Sequence, residues 1–288
     1  MGKERKTLLY HYTTMRTFYE MMEHSLYYKK GEAQPKFLTM WATHYAYQND
    51  PTECQLFFDG LKKAITDYTL KKGVVLGDEY NECMEQSFQY LNLFTISFSE
   101  QEDDLSMWRG YGQNGDGISL GFDFSGLPST RPMYALNDKE HQCESQTDDL
   151  LRSEIKKCKY VDTDSIQVSE EVSRNLLNTN VKEHDMWTDV KWLITIIENA
   201  PIYKHYKYCV EKEWRIIKNH FMSEFRTVDG CKIIPYMKVN IPIDCLKRII
   251  IGPCQASAEA VMNISSFLMT KGINIEVISS HIPYRNRI

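Results

Sequence analysis

No stretch of this 288-residue chain approaches the roughly 18 consecutive apolar residues that a membrane-spanning helix needs, so no membrane partner is expected. Positive charge does not dominate either. With 34 lysines and arginines against 39 aspartates and glutamates, the formal net charge is −5. Broad binding to a phosphate backbone needs basic surface, so that class is disfavoured, although a local basic groove stays compatible. The eight cysteines (Cys54, Cys83, Cys143, Cys158, Cys209, Cys231, Cys245, Cys254) include no Cys-x-x-Cys pair. Their scatter suits neither a zinc site nor a compact disulfide framework, and reduced thiols in a cytoplasmic protein are expected. The opening Met-Gly-Lys-Glu-Arg-Lys leads into only a short apolar run at 8–10, which does not read as a secretion signal. Lys6 stands where a myristoylation pattern needs Ser or Thr. Walker and Rossmann glycine loops, Gly-x-Ser-x-Gly and His-Glu-x-x-His are all missing, so hydrolase and zinc-protease readings lack support.

What is present is an ordinary globular composition, 42 % hydrophobic and 25 % charged, in a chain long enough for one large domain over 1–288. Residues 8–13 alternate as a strand, and Thr13 or Thr14 can cap a helix over 15–23 that carries Met15, Phe18, Tyr19 and Met22 on one stripe. Short strands are expected at 26–28 and 37–41. Asn49-Asp50-Pro51 reads as a turn, with Thr52 capping a helix that contains Leu56, Phe57 and Leu61. A helix over 79–90, a strand at 94–99, a turn at 113–117 and a strand at 118–124 follow. The stretch from about 126 to 201 is polar and reads as a mostly helical insertion, with Trp187, Trp192 and Ile196 on one helix face. Strands are expected again at 213–221, 233–239 and 248–251, then a helix at 256–270 and a last strand at 273–278. The pattern predicts an α+β fold, a mainly antiparallel sheet with flanking helices.

Several residues could carry chemistry. Val-Glu-Lys-Glu-Trp-Arg-Ile-Ile at 210–217 plants Glu211 and Glu213 beside a strand rich in aromatic and β-branched residues. On one strand face the two acids would lie about 7 Å apart, close enough to perturb a pKa and to stabilise a developing cation. The other reading is a solvated edge on which they answer Lys212 and Arg215. His11, between Tyr10 and Tyr12, is either a structural histidine or a donor to a ligand, with Thr13 assisting. Ser97 and Ser99 share one face of their strand, opposite Phe98, and must bond neighbouring backbone or line a polar cleft. Trp108, Arg109 and Tyr111 could stack a ring and grip a phosphate, or pack as a helix over the sheet. Asp50 and Glu53 read as turn and cap residues. They would join Glu213 around Mg²⁺ in a nuclease only if the fold gathered them, and no metal is expected.

Taken in order, Tyr10-His11-Tyr12-Thr13, Asn49-Asp50-Pro51, Ser97-Phe98-Ser99-Glu100, Met107-Trp108, the stretch 117–123, the stretch 211–215 and Ile251-Gly252-Pro253 resemble DUF2971, a bacterial family of unknown function. More distantly, His11, Ser97-Phe98-Ser99 and Glu211-Lys212-Glu213 resemble the His/Arg, Ser-x-Ser and Glu-x-Glu series of ADP-ribosyltransferases. Tyr-His-x-Thr before a helix is similar to the opening of the toxin enzymes that modify DNA. This resemblance implies a split antiparallel sheet, NAD⁺ as substrate, and an acceptor that is protein, nucleic acid or water, in a bacterial toxin or anti-phage defence setting. It implies Glu213 and Glu211 as catalytic carboxylates, with His11 acting beside them. His11, Tyr12, Thr13, Ser97, Ser99, Trp108, Arg109 and Tyr111 would hold NAD⁺, with Arg109 on the pyrophosphate. The spacing between the elements departs from the family's, and no stacking tyrosine follows the first strand at the usual place. A non-enzymatic module of the same fold, sensing a nucleotide or binding a protein, is the alternative.

Overall fold

The fold is seen in a computed structural model that describes residues 8–25, 37–73, 78–89, 91–125, 154–162, 186–220, 223–228 and 232–285. One strand organises the sheet. This is β3 (Leu93–Ser99), preceded in the chain by β1 (Leu9–Thr13) and β2 (Phe37–His44). Along one edge β3 pairs over its whole length with β8 (Glu213–Asn219), from Leu93↔Asn219 to Ser99↔Glu213. Its other edge is shared. β2 pairs with it at Phe94 and Thr95, and β1 pairs with it at Ser99, so the two strands part between those points.

Two arms run outward from this junction. One continues from β1 through β4 (Ile118–Phe122) and β11 (Leu246–Ile251) to β12 (Glu276–Ser279). The other continues from β2 through β10 (Lys232–Pro242) to β9 (Glu224–Val228). β5 (Glu154–Lys157) borders β8. Pairing in this sheet is antiparallel except between β11 and β12, where helix α6 (Ala258–Thr270) makes the crossover a parallel pair requires. β6 (Lys159–Val161) and β7 (Tyr203–His205) form a small separate parallel pair.

Strand alternation decides which face is core. Phe94, Ile96 and Phe98 pack with Leu38, Met40, Leu120, Phe122, Ile216 and Val239. Phe18 of α1 (Met15–Glu20) and Leu268 of α6 close this layer. Thr14 starts α1 as expected, with extended backbone and an Oγ1 that accepts from Thr17 N at 3.0 Å. On the opposite face, α2 (Gln55–Lys72), α3 (Asp78–Gln89) and α5 (Met186–Asn199) bury Phe57, Phe58, Leu61, Ile65 and Ile196 with Leu93. α4 (Leu105–Gly110) packs Trp108 against Tyr12.

Several expectations shift. β5 and β6 occupy part of the stretch read as a helical insertion, and β7 and β9 were not foreseen. These strands are three to five residues long and mostly polar, so alternation leaves little trace in them. The expected strand at 26–28 lies outside the described residues. Cys54, not Thr52, stands at the start of α2, with φ +63° and no side-chain cap bond, while Thr52 donates instead to Asp50. Cys54, Cys158, Cys209, Cys245 and Cys254 are free thiols. Cys83, Cys143 and Cys231 lie outside the residues whose side chains are described. No helix among the described residues is long and apolar enough to cross a membrane.

Gly117, at the start of β4, sits where the 112–117 turn crosses β1. A Cβ there would lie 2.3 Å from the Thr13 carbonyl oxygen and 2.7 Å from that of Gly112, both fixed backbone. Gly117→Ala should therefore lower stability by about 1–3 kcal/mol, the usual cost of forcing atoms into a packed site. Gly110→Ala, where a Cβ meets nothing within 4 Å, should not. Urea denaturation of the two variants checks the contrast.

Candidate functional site

Where β1 and β2 part along β3, a cavity of about 310 Å³ opens, near the lower end for small-molecule sites. Of the residues singled out in the sequence, His11, Tyr12, Ser97, Tyr111, Glu211 and Glu213 line it. β1 and β8 are not neighbours. They flank β3 on opposite edges and meet at Ser99, which pairs with Tyr10 on one side and Glu213 on the other.

His11 points toward the core side of β1, opposite Tyr10 and Tyr12, and reaches the cavity only because the strands separate. Its Nδ1 lies 2.9 Å from the Ser97 carbonyl oxygen. A carbonyl only accepts, so Nδ1 carries the proton and Nε2 is left as an acceptor. Burial lowers the His11 pKa below its usual 6.5, opposed only by the bond to Ser97, and the ring is neutral at pH 7. Tyr12 donates to the Gln101 carbonyl at 2.7 Å.

The two glutamates reach the cavity by a route the strand pattern does not show. Glu211 ends a 3₁₀ segment (Tyr206–Glu211), and Lys212 takes a left-handed conformation, φ +43°, before β8 starts at Glu213. Simple alternation therefore does not relate the two acids. Nor are they solvated, at 8 % and 4 % exposure. Lys204 of β7 joins them, 2.6 Å from Glu211 Oε2 and 2.8 Å from Glu213 Oε2. Tyr111 donates to the other oxygen of Glu211 at 2.5 Å.

Beneath them lies Arg215, fully buried. Its Nε and Nη2 donate to Glu213 at 2.7 and 3.1 Å, while both terminal nitrogens grip Glu53 at 2.6 Å. Nη1 also donates to the Pro201 carbonyl at 2.8 Å. Burial works against the charge of Glu213, but Arg215 and Lys204 overcome it and hold the carboxyl at about 2. Burial likewise opposes the charge of Lys204, yet the fields of Glu213 and Glu211 raise its pKa. Burial keeps the Glu53 carboxyl above the ordinary range despite Arg215. The bidentate contact nevertheless requires its ionised form, because both oxygens accept. The cluster thus sets carboxylates of Glu53, Glu211 and Glu213 against the cations of Arg215 and Lys204, leaving one net negative charge at the cavity wall.

Other candidates lie elsewhere. Trp108 is fully buried and donates to Asp103 at 2.6 Å, so it cannot stack a ligand ring. Arg109 is exposed outside the cavity, 5.1 Å over the ring of Tyr284. Ser99 is buried and donates to the Glu211 carbonyl at 2.5 Å, a supporting contact and not a lining one. Thr13 is buried at the end of β1, and the cavity does not reach it. Glu53, Lys204 and Arg226 line the cavity without having been selected for an NAD⁺ site. Glu53 lay in an evident turn, and Lys204 sits in a strand too short to recognise. Among the described residues no group of three or more metal-ligating side chains is poised for an ion. Glu53 and Glu213 do come together, but with Arg215 between them.

A family model described as "Protein of unknown function (DUF2971)" matches residues 107–216. That stretch is similar to a family without an assigned activity. It runs from α4 into β8 and includes Tyr111, Lys204, Glu211, Glu213 and Arg215. No curated protein and no solved structure matches the chain.

Arg215→Met strips the cation from Glu53 and Glu213 and should cost about 3–5 kcal/mol in urea unfolding, the usual penalty for orphaning a buried charge. Adding Glu53→Leu should recover part of that loss. The His11 pKa is lowered on folding, so its contribution to stability is complete above about pH 6.5 and is lost as pH falls below that value. His44 shifts in the same direction, also through burial. His11→Asn keeps a donor for the Ser97 carbonyl but cannot titrate. Its stability should fall less steeply below pH 6.5 than that of the parent, by at most about 1.4 kcal/mol per pH unit.

Proposed function

We propose that the chain is an ADP-ribosyltransferase-like enzyme that cleaves the nicotinamide–ribose bond of NAD⁺. The observation that carries this reading is the gathering of His11, Ser97, Glu211 and Glu213 around one cavity, at the point where β1 and β2 part along β3. The parted strands support kinship with the split sheet of those transferases. The excess negative charge of the Glu53, Glu211 and Glu213 cluster suits a reaction that builds positive charge on a ribose at that end of the cavity.

In the proposed step the bond between ribose C1′ and the nicotinamide nitrogen breaks, and its electron pair neutralises the pyridinium. An acceptor oxygen or nitrogen then bonds to C1′ and gives up a proton. Glu213, held ionised, faces the developing cation. Glu211, the second carboxylate of the cavity lining, orients the acceptor and takes the proton. The Nε2 of His11 accepts from a ribose hydroxyl or the carboxamide.

The pinning of Glu213 favours a second reading, a nucleotide-binding module without turnover. Both of its oxygens already accept from Arg215 or Lys204, so much of its charge is spent inside the protein.

The same pinning shapes the test. Glutamine at 213 would turn an NH₂ toward groups that can only donate, so this variant should be less stable as well as inactive. Glutamine at 211 fits, because the Tyr111 hydroxyl can switch from donor to acceptor. Nicotinamide release from NAD⁺ should be measurable with the parent protein. It should fall about 100- to 1000-fold in Glu213→Gln kept below its own melting transition. Glu211→Gln should keep hydrolysis of NAD⁺ and lose acceptor labelling. No nicotinamide release from the parent under any acceptor condition would leave the binding module standing.

A further inference from the structure

The cavity has a second end, and it is cationic. Arg226 of β9 leans across β10 toward β2, where its Nη2 donates to Thr43 Oγ1 at 3.2 Å. Its guanidinium lies 5.1 Å from the Trp41 ring centre and 6.0 Å from that of Tyr236. Among the described residues no carboxylate pairs with it, and its Nε is buried without a partner. Glu224, two residues earlier on the same face, is engaged by the Tyr236 hydroxyl and by Lys238, each at 2.8 Å. Burial lowers the pKa of Arg226, and only the tyrosine opposes it. An anion beside the guanidinium would relieve that cost.

The surroundings fit an anion as well. Thr43, Gln48, Asn49 and Thr95 line this end of the cavity, all neutral and polar. Gln48 spends its NH₂ on the Thr95 hydroxyl at 2.9 Å and on the Thr43 carbonyl, which fixes the wall. Thr95, beside Arg226's partner Thr43, and Ser99, beside Glu213, are separated by four steps along β3, on the order of 13 Å. The cavity is therefore bipolar, with an unpaired guanidinium at one end and a surplus carboxylate at the other. An indole face lies beside the guanidinium.

We infer that Arg226, with Thr43 and Trp41, forms a phosphate-binding subsite, and that the ligand is a phosphate ester whose ribosyl group extends toward Glu213. This deepens the transferase reading and rests on it for the ribosyl end alone. The role of gripping a pyrophosphate passes from Arg109, which faces away, to Arg226. Arg suits the task because its planar fork meets two phosphate oxygens at once, which a lysine ammonium cannot do.

The test uses the full chain titrated calorimetrically with ADP and, separately, with inorganic pyrophosphate. Variants are Arg226→Met, Arg226→Lys and Arg109→Met, each checked for an unchanged melting transition. The parent should bind both probes, and more weakly as salt rises. Arg226→Met should weaken ADP binding at least tenfold, Arg226→Lys should restore only part, and Arg109→Met should match the parent. Nicotinamide release from NAD⁺, measured in parallel, separates the two ideas. ADP binding that depends on Arg226 without any nicotinamide release keeps the subsite and removes the transferase. Nicotinamide release with unaltered KM in Arg226→Met removes the subsite and keeps the transferase. Failure of the parent to bind either probe, or equal loss in Arg109→Met, overturns the inference. Should Arg226→Met not fold, Thr43→Val leaves the guanidinium in place but unanchored, and unaltered ADP affinity there counts against the subsite.

Discussion

The Arg215 guanidinium is the group on which the rest of the site depends. Each of its N–H bonds is used: Nε and Nη2 on Glu213, both terminal nitrogens on Glu53, and Nη1 on the Pro201 carbonyl. Those partners come from the turn before α2, the turn after α5 and the first residue of β8, so one planar cation sets the relative position of three chain segments. A well-packed apolar substitute could be as stable. What such a substitute would not do is hold two carboxylates ionised at the wall of a cavity. The cost of burying these charges therefore fits better with function than with folding alone.

The second constraint is the division of one edge of β3 between two strands. A continuous ladder would have placed β1 or β2 along residues 96–98 and closed the sheet. Instead, β1 and β2 each take one end, and the gap exposes backbone that a side chain must satisfy. His11 does so with its Nδ1, which fixes the tautomer and leaves Nε2 as an acceptor on a residue that lines the cavity. A single geometric fact thus creates the cavity, sets the protonation pattern of its histidine and explains why Ser97 lies half open while Ser99 is buried.

Much of the local structure was legible in the chain. Alternation at 94–99, the threonine before α1, the turn at 113–117 and the apolar runs around β4, β10 and β11 all carry direct signals, because a strand or helix buries one face and its period records that burial. His11, Ser97, Glu211 and Glu213 could also be singled out as polar residues in otherwise apolar surroundings. Trp108 and Arg109 were equally conspicuous, yet one is packed under Tyr12 and the other lies outside the cavity on Tyr284. Residue type marks what a side chain can do, and only its surroundings decide where it does it.

The sequence by itself determined the class of fold, the identity of the main strands and the residue types able to stabilise a cation. It did so because these depend on neighbours within a few positions. The tertiary structure alone decided that Glu211 and Glu213 are buried and not solvated, since their charges are balanced by Lys204 from another strand and by an arginine anchored to Glu53, 162 positions from it in the chain. It also decided that, among the described residues, the arginine lining the cavity without a carboxylate partner is Arg226 and not Arg109. Neither could be read locally, because the energy of a buried charge is set by whatever the fold brings within a few ångströms, and sequence separation does not record that distance.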